Sequence, residues 1–179
     1  MPRDWEEHYC AEVNPDETPA PLLVETAEML APGRALDLAC GAGRNSLYLA
    51  RLGWRVVAVD AAPTAIKFVK ERSAADGLAI DARVADLEAG AFAIEPAGYD
   101  LICDFLYLQR DLFPQIREGV KPGGVFVAEI HLRDQNRHRF VLEPGELRAQ
   151  FAGWKVLYYA EAARAEHGRP TAQMIARRA

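Results

Sequence analysis

"ALDLACGAGRNS", residues 35–46, decides how the chain folds. An apolar run ends, two glycines turn the chain at Gly41 and Gly43, and an arginine, Arg44, follows. A glycine turn between a strand and a helix is a backbone cradle for a ligand, because no Cβ stands in the way. Asp37 precedes the turn and Arg44 follows it, so opposite charges bracket the cradle.

The alternation continues on both sides. "RALDLA" (34–39) reads as a short buried strand and 44–53 as a helix. A valine-rich strand is expected at 54–60 and a helix at 63–77, with Pro63 near its start and Gly77 at its end. Strands at 78–86 and 99–108, a helix at 110–120 and a strand at 123–132 opened by Pro-Gly-Gly come next. Strand, helix, strand at this rhythm gives right-handed crossovers and a parallel sheet with helices on both faces. The tail differs: a short helix at 144–153, then strands at 154–164 and 171–178 at hairpin distance, which predicts a C-terminal antiparallel pair. Upstream, residues 21–31 suggest a short amphipathic helix stopped by Pro32-Gly33, and residues 1–20 a polar arm with one helical turn. The expected organisation is an N-terminal arm and helix over 1–33, a candidate lid, and a single domain over 34–179.

Bulk properties bound the function. The chain has 179 residues, half of them hydrophobic, and a net charge of −5. That balance disfavours broad attachment to nucleic acid or anionic membranes. Cys10, Cys40 and Cys103 form no Cys-x-x-Cys and no disulfide framework, which suits a reducing compartment. The first ten residues lack the apolar run of a signal peptide, and no stretch reaches the roughly 20 apolar residues of a membrane helix. A cytoplasmic protein, monomer or dimer, is expected.

Ligands of such a sheet bind outside the carboxyl ends of the strands. A dinucleotide is disfavoured: the frame Gly41-Ala42-Gly43-Arg44-Asn45-Ser46 lacks the third glycine, and Asp37 would repel a pyrophosphate seated on the next helix. No Gly-Lys-Ser/Thr follows, so the Walker frame fails too. A ligand with an α-ammonium, a carboxylate and an adenosine fits better. Asp37 suits the ammonium, the 39–43 backbone from Ala39 onward lets the amino-acid part approach, and Arg44 suits the carboxylate. Asp60, 17 residues past Gly43 and followed by Ala61, suits the ribose hydroxyls. Asp86 suits the adenine amino group, with the Leu87 backbone at a ring nitrogen. The ligand so spelled is S-adenosylmethionine. Each residue also has a plainer reading: turn glycines, cap carboxylates at Asp37, Asp60 and Asp86, and a surface ion pair for Arg44.

The stretch "LDLACGAGRNSLYLARLGWRVVAVDAAPTAI" resembles the cofactor half of class I S-adenosylmethionine-dependent methyltransferases. "YLQRDLFPQIREGVKPGGVFVAEI" and the tail through "ARR" resemble their small tellurite-resistance-type branch. The resemblance implies a Rossmann-like seven-stranded, mainly parallel sheet whose last strand is inserted antiparallel.

Methyl transfer is an in-line displacement at a carbon activated by a sulfonium, so the protein chiefly aligns the acceptor and excludes water. A base is needed only where the acceptor must lose a proton early. The position after the fourth strand reads "CDFLYL", without the Pro-Pro-aromatic turn of amino-directed nucleic-acid enzymes, and there is no Pro-Cys nucleophile. Asp104 and Glu129 lack the acidic partners of a magnesium site, and His8, His131, His138 and His167 show no metal-ligand spacing. No metal is expected. The acceptor is expected to be small: an oxyanion, a thiol or a heterocycle. The family resemblance puts His167 and Arg169, near the last hairpin, forward as catalytic candidates, with shorter local spacing than the family's; Tyr107, just after the fourth strand, is a candidate for the acceptor pocket. The basic loop 131–140, with Arg133, Arg137, His138 and Arg139, either closes over an anionic acceptor or is solvated. Trp5 and Tyr9, spaced i, i+4, share a helical face and form either a lid or an edge contact. An NAD(P)-dependent oxidoreductase and a non-catalytic S-adenosylmethionine-binding partner protein are the alternative functions.

Overall fold

A computed structural model describes residues 5–12, 14–134, 140–162 and 168–179. Those residues form seven strands. The chain divides into two compact units, Met1–Ala93 and Ile94–Ala179.

The first unit contains α1 (Trp5–Ala11), α2 (Pro21–Glu28), β1 (Arg34–Leu38), α3 (Arg44–Arg51), β2 (Arg55–Asp60), α4 (Pro63–Ala75) and β3 (Ile80–Val84). β1 and β2 are parallel, as are β2 and β3. β1 and β2 read as near-continuous apolar runs because both faces are covered; Ala35, Leu36, Leu38, Val56, Val57, Ala58 and Val59 are all buried. The arm expected to make one helical turn makes two, as α1. Proline opens both α2 and α4 at the position where its missing N–H matters least.

The second unit contains β4 (Tyr99–Phe105), α5 (Leu112–Gly119), β5 (Val120–His131), α6 (Glu146–Gln150), β6 (Lys155–Ala162) and β7 (Thr171–Arg177). β4 and β5 are parallel; β7 runs antiparallel to both β5 and β6 and lies between them. The antiparallel tail and the inserted last strand are therefore as expected. β5 starts earlier than its sequence suggests. Tyr99 pairs with Val120 and Leu101 with Val125, so the Pro-Gly-Gly turn is a bulge inside the ladder rather than its beginning. The core of this unit is aromatic: Phe126 stacks on Phe151 at 4.5 Å, and Phe113 meets Phe151 edge-on.

Candidate cofactor site

The turn after β1 is built by backbone handedness. Ala39, Gly41 and Gly43 all have positive φ, at 50°, 56° and 88°. Glycine adopts that region freely, whereas Ala39 is held there against its Cβ. Gly43 has a second constraint. A Cβ on it would come within 2.7 Å of Val69 Cγ2, so α3 begins where it does only because residue 43 has no side chain.

Asp37 lies on β1 and is 1 % exposed. Its Oδ2 accepts the Ser46 hydroxyl at 2.6 Å, and Ser46 is itself fully buried in the first turns of α3. Ser46 occupies the third-glycine position of a dinucleotide frame. The space that such a glycine would keep clear is filled here by a hydroxymethyl group that holds the Asp37 carboxylate. Sequence reasoning did not pick out Ser46; a buried serine nine residues after a buried aspartate, across the turn, is the signal.

Asp60 ends β2 and is nearly buried. Its Oδ2 accepts the Gly41 N–H at 2.8 Å and its Oδ1 the Ala62 N–H at 2.9 Å. The carboxylate thus ties the end of β2 to the glycine turn of β1, while each oxygen keeps a further lone pair. Burial raises its pKa above the ordinary aspartate value, against the lowering by the Ala62, Gly41 and Ala61 amides. Buried Cys40 lies in the same field: desolvation first, then the Asp37 and Asp60 charges, push its thiol well above the usual range. Ala61 is exposed directly after Asp60.

Two of the expected residues have other engagements. Arg44 is the first residue of α3, and its Nη1 donates to the Thr18 carbonyl at 3.3 Å, with Asp16 in its field. The structure joins Arg44 to the arm rather than to Asp37. Asp86 is exposed, and its Oδ1 caps a turn by accepting the N–H groups of Glu88 and Ala89 at 2.9 and 3.2 Å. Leu87 beside it is buried.

In the second unit, Tyr107 is half-buried after β4 and donates its hydroxyl to Gln109 Oε1 at 2.7 Å. Arg169 is half-buried in the bend before β7. His167 lies outside the described residues, as do Arg137, His138 and Arg139 of the basic loop. Arg133 of that loop pairs with Glu143. Asp104 is buried on β4 and Glu129 on β5, where Glu129 accepts the Thr171 hydroxyl at 3.0 Å. Among the described residues no group of three or more His, Cys, Asp or Glu side chains is placed to hold a metal ion. No helix among them is long and apolar enough to cross a membrane.

The model of the family "Tellurite resistance protein TehB" matches residues 5–172. The chain belongs to the TehB family. The TehB match takes in α1, the glycine turn and β6, and ends at the start of β7. Among curated proteins, Hemagglutinin 1 of Eikenella corrodens is 33 % identical over 163 residues, covering 82 % of this chain and 53 % of that protein. The probable S-adenosyl-L-methionine-dependent methyltransferase TehB of Haemophilus influenzae is 31 % identical over 151 residues, covering 78 % and 52 %. The chain thus spans about half the length of these curated relatives. The crystal structure of TehB from Haemophilus influenzae superposes with a TM-score of 0.81 at 26 % identity, over 98 % of this chain and 67 % of that one. This TehB-family chain has the Rossmann-like fold of the S-adenosylmethionine-dependent methyltransferases.

Proposed function

We propose that the chain is a class I S-adenosylmethionine-dependent methyltransferase acting on a small acceptor, with residues 34–179 as its catalytic domain. The observation that carries the cofactor reading is Asp37: a carboxylate 1 % exposed, held by Ser46, directly before a turn in which Gly41 and Gly43 carry no Cβ. A phosphate-binding site has no use for that charge. An α-ammonium does. Membership of the TehB family and the name of its Haemophilus relative support the same reading.

The residues present fit the cofactor. Asp37 holds the ammonium, directly or through a water, and the 39–43 backbone accommodates the amino-acid part. Asp60 retains acceptor capacity for the ribose hydroxyls after its two amide bonds. Asp86 and Leu87 remain the adenine candidates, Asp86 through the acceptor capacity left by its turn bonds. Arg44 remains the candidate for the cofactor carboxylate, with its Nη1 bonded to the Thr18 carbonyl. The bound cofactor supplies a sulfonium methyl group, open to in-line displacement. The protein's own part is to align the acceptor and exclude water.

The acceptor is an oxyanion, a thiol or a heterocycle; the family's name, tellurite resistance, favours the oxyanion. Tyr107, Arg169 and His167 are the candidate residues toward it. The protein acts in the cytoplasm, without nucleic acid or membrane as partner, as a monomer or dimer.

Calorimetry with S-adenosylhomocysteine, and with NAD as the control, tests the cofactor. Binding of the first and not the second is expected; NAD binding with no response to millimolar S-adenosylhomocysteine removes the reading. Transfer of a labelled methyl group to a panel of oxyanions, thiols and heterocycles then tests the reaction. A cofactor-bound protein inert toward all three classes is a binding partner instead.

A further inference from the structure

α1 packs against α4, and the contact is chemical rather than apolar: no residue of α1 is buried. Glu6 Oε2 accepts the Thr64 N–H at 3.0 Å, and its Oε1 accepts the Thr64 hydroxyl at 2.6 Å. Thr64 is the second residue of α4, whose N-cap, Ala62, provides no side-chain bond of its own. A carboxylate 58 residues away in sequence therefore caps this helix. Both bonds to Thr64 hold Glu6 below the usual glutamate range. Cys10 Sγ lies 3.4 Å from Thr64 Oγ1, on the same side of α1.

The fastening sets where Tyr9 goes. A Cβ built on Gly41 would run into the Tyr9 hydroxyl oxygen. Gly41 is the glycine whose N–H is bonded to Asp60, and the Glu6 charge is felt at Asp60. Trp5 stacks against Tyr9 with ring centroids 6.3 Å apart and stands 50 % exposed on the outer side. The glycine at position 41 thus opens a space that a phenol from the N-terminal arm enters. The Tyr9 hydroxyl therefore lies against the glycine turn whose Gly41 N–H is bonded to Asp60.

We propose that α1 is part of the cofactor site: Tyr9 offers its hydroxyl to the amino-acid end of S-adenosylmethionine, and Glu6 is the positioning residue that fastens α1 to α4. This rests on the cofactor reading above. Tyr9 donates to the cofactor carboxylate, the end that the Gly41 turn meets. Glu6 touches no ligand and acts only through Tyr9.

Two probes separate this from a structural role. S-adenosylhomocysteine carries the amino-acid end and methylthioadenosine lacks it. In the full chain, Tyr9→Phe is expected to weaken S-adenosylhomocysteine about tenfold, the scale of one lost charge-assisted hydrogen bond, and to leave methylthioadenosine unchanged. Glu6→Gln is expected to give the same split, and the double variant to be no weaker than Glu6→Gln alone, because one residue works through the other. Equal loss on both probes, or no loss on either, overturns the proposal. So does an additive double variant. Wild-type protein that binds neither probe overturns the cofactor reading itself, and this inference with it.

Discussion

Ser46 donates its hydroxyl to Asp37 across 2.6 Å, from α3 back to β1, with both side chains buried. The bond gives the carboxylate buried beside the glycine turn a hydrogen-bond donor. Removing one partner leaves a buried acceptor short of a donor, which typically costs about 1–3 kcal/mol. Ser46→Ala is therefore expected to lower the unfolding free energy by that amount in urea titrations and to weaken S-adenosylhomocysteine severalfold. Asp37→Asn is expected to lose far more affinity, since it removes the charge that meets the ammonium. An Asp37→Asn variant that binds as well as wild type contradicts the assignment.

Gly43→Ala meets two obstacles at once. Residue 43 sits at φ 88°, and its Cβ would lie 2.7 Å from Val69 Cγ2. Overpacking and left-handed strain together amount to about 2–5 kcal/mol. A second change, Val69→Ala, relieves the overlap and not the strain. Equilibrium unfolding of the single and double variants should show partial recovery only. Full recovery would mean that the backbone at residue 43 is free to change handedness.

β1 and β2 were readable because both their faces are covered, so "RALDL" and "RVVAVD" are apolar without alternation. The inserted β7 was readable from hairpin distance, and its place beside β5 through the family resemblance. What stayed hidden has a common physical form: a polar bond across a long sequence gap. Thr64 on Glu6 and Thr171 on Glu129 leave no periodic trace, since each is a pair of residues whose donors and acceptors meet only in the fold. Arg44 shows the converse. Its charge was plain in the sequence, but a long side chain reaches several partners, and here it takes the Thr18 carbonyl. The early start of β5 was obscured because a Pro-Gly-Gly turn reads as a boundary when it is a bulge.

Tyr159 donates to Glu161 Oε1, while the Gly145 N–H donates to the same oxygen. Burial, followed by the bond to Glu161, raises the Tyr159 pKa to about 12. Ultraviolet difference titration should show one tyrosine ionising well after the ordinary range near 10. Glu161→Gln removes the charge and should move that step down. For stability, the folded form holds its proton where the unfolded chain has lost it. The protein accordingly loses stability as pH climbs from the unfolded toward the folded value, and gains nothing below it.

Asp60 gives a second pH dependence, of opposite use. Burial raises its pKa in the folded protein, so the folded state holds a proton that the unfolded chain releases. Stability therefore falls as pH rises from the unfolded value through the raised folded one, and the penalty is complete above it. Binding runs the other way. Ribose hydroxyls donate to the ionised carboxylate and favour it, so cofactor binding lowers this pKa and releases protons. The affinity for S-adenosylhomocysteine should rise with pH through the raised value and level off above it. Calorimetry in buffers of different ionisation enthalpy measures the proton release directly. Asp60→Asn should abolish both the release and this part of the pH slope; a slope that persists in Asp60→Asn belongs to another group, and Asp60 is then not the ribose carboxylate.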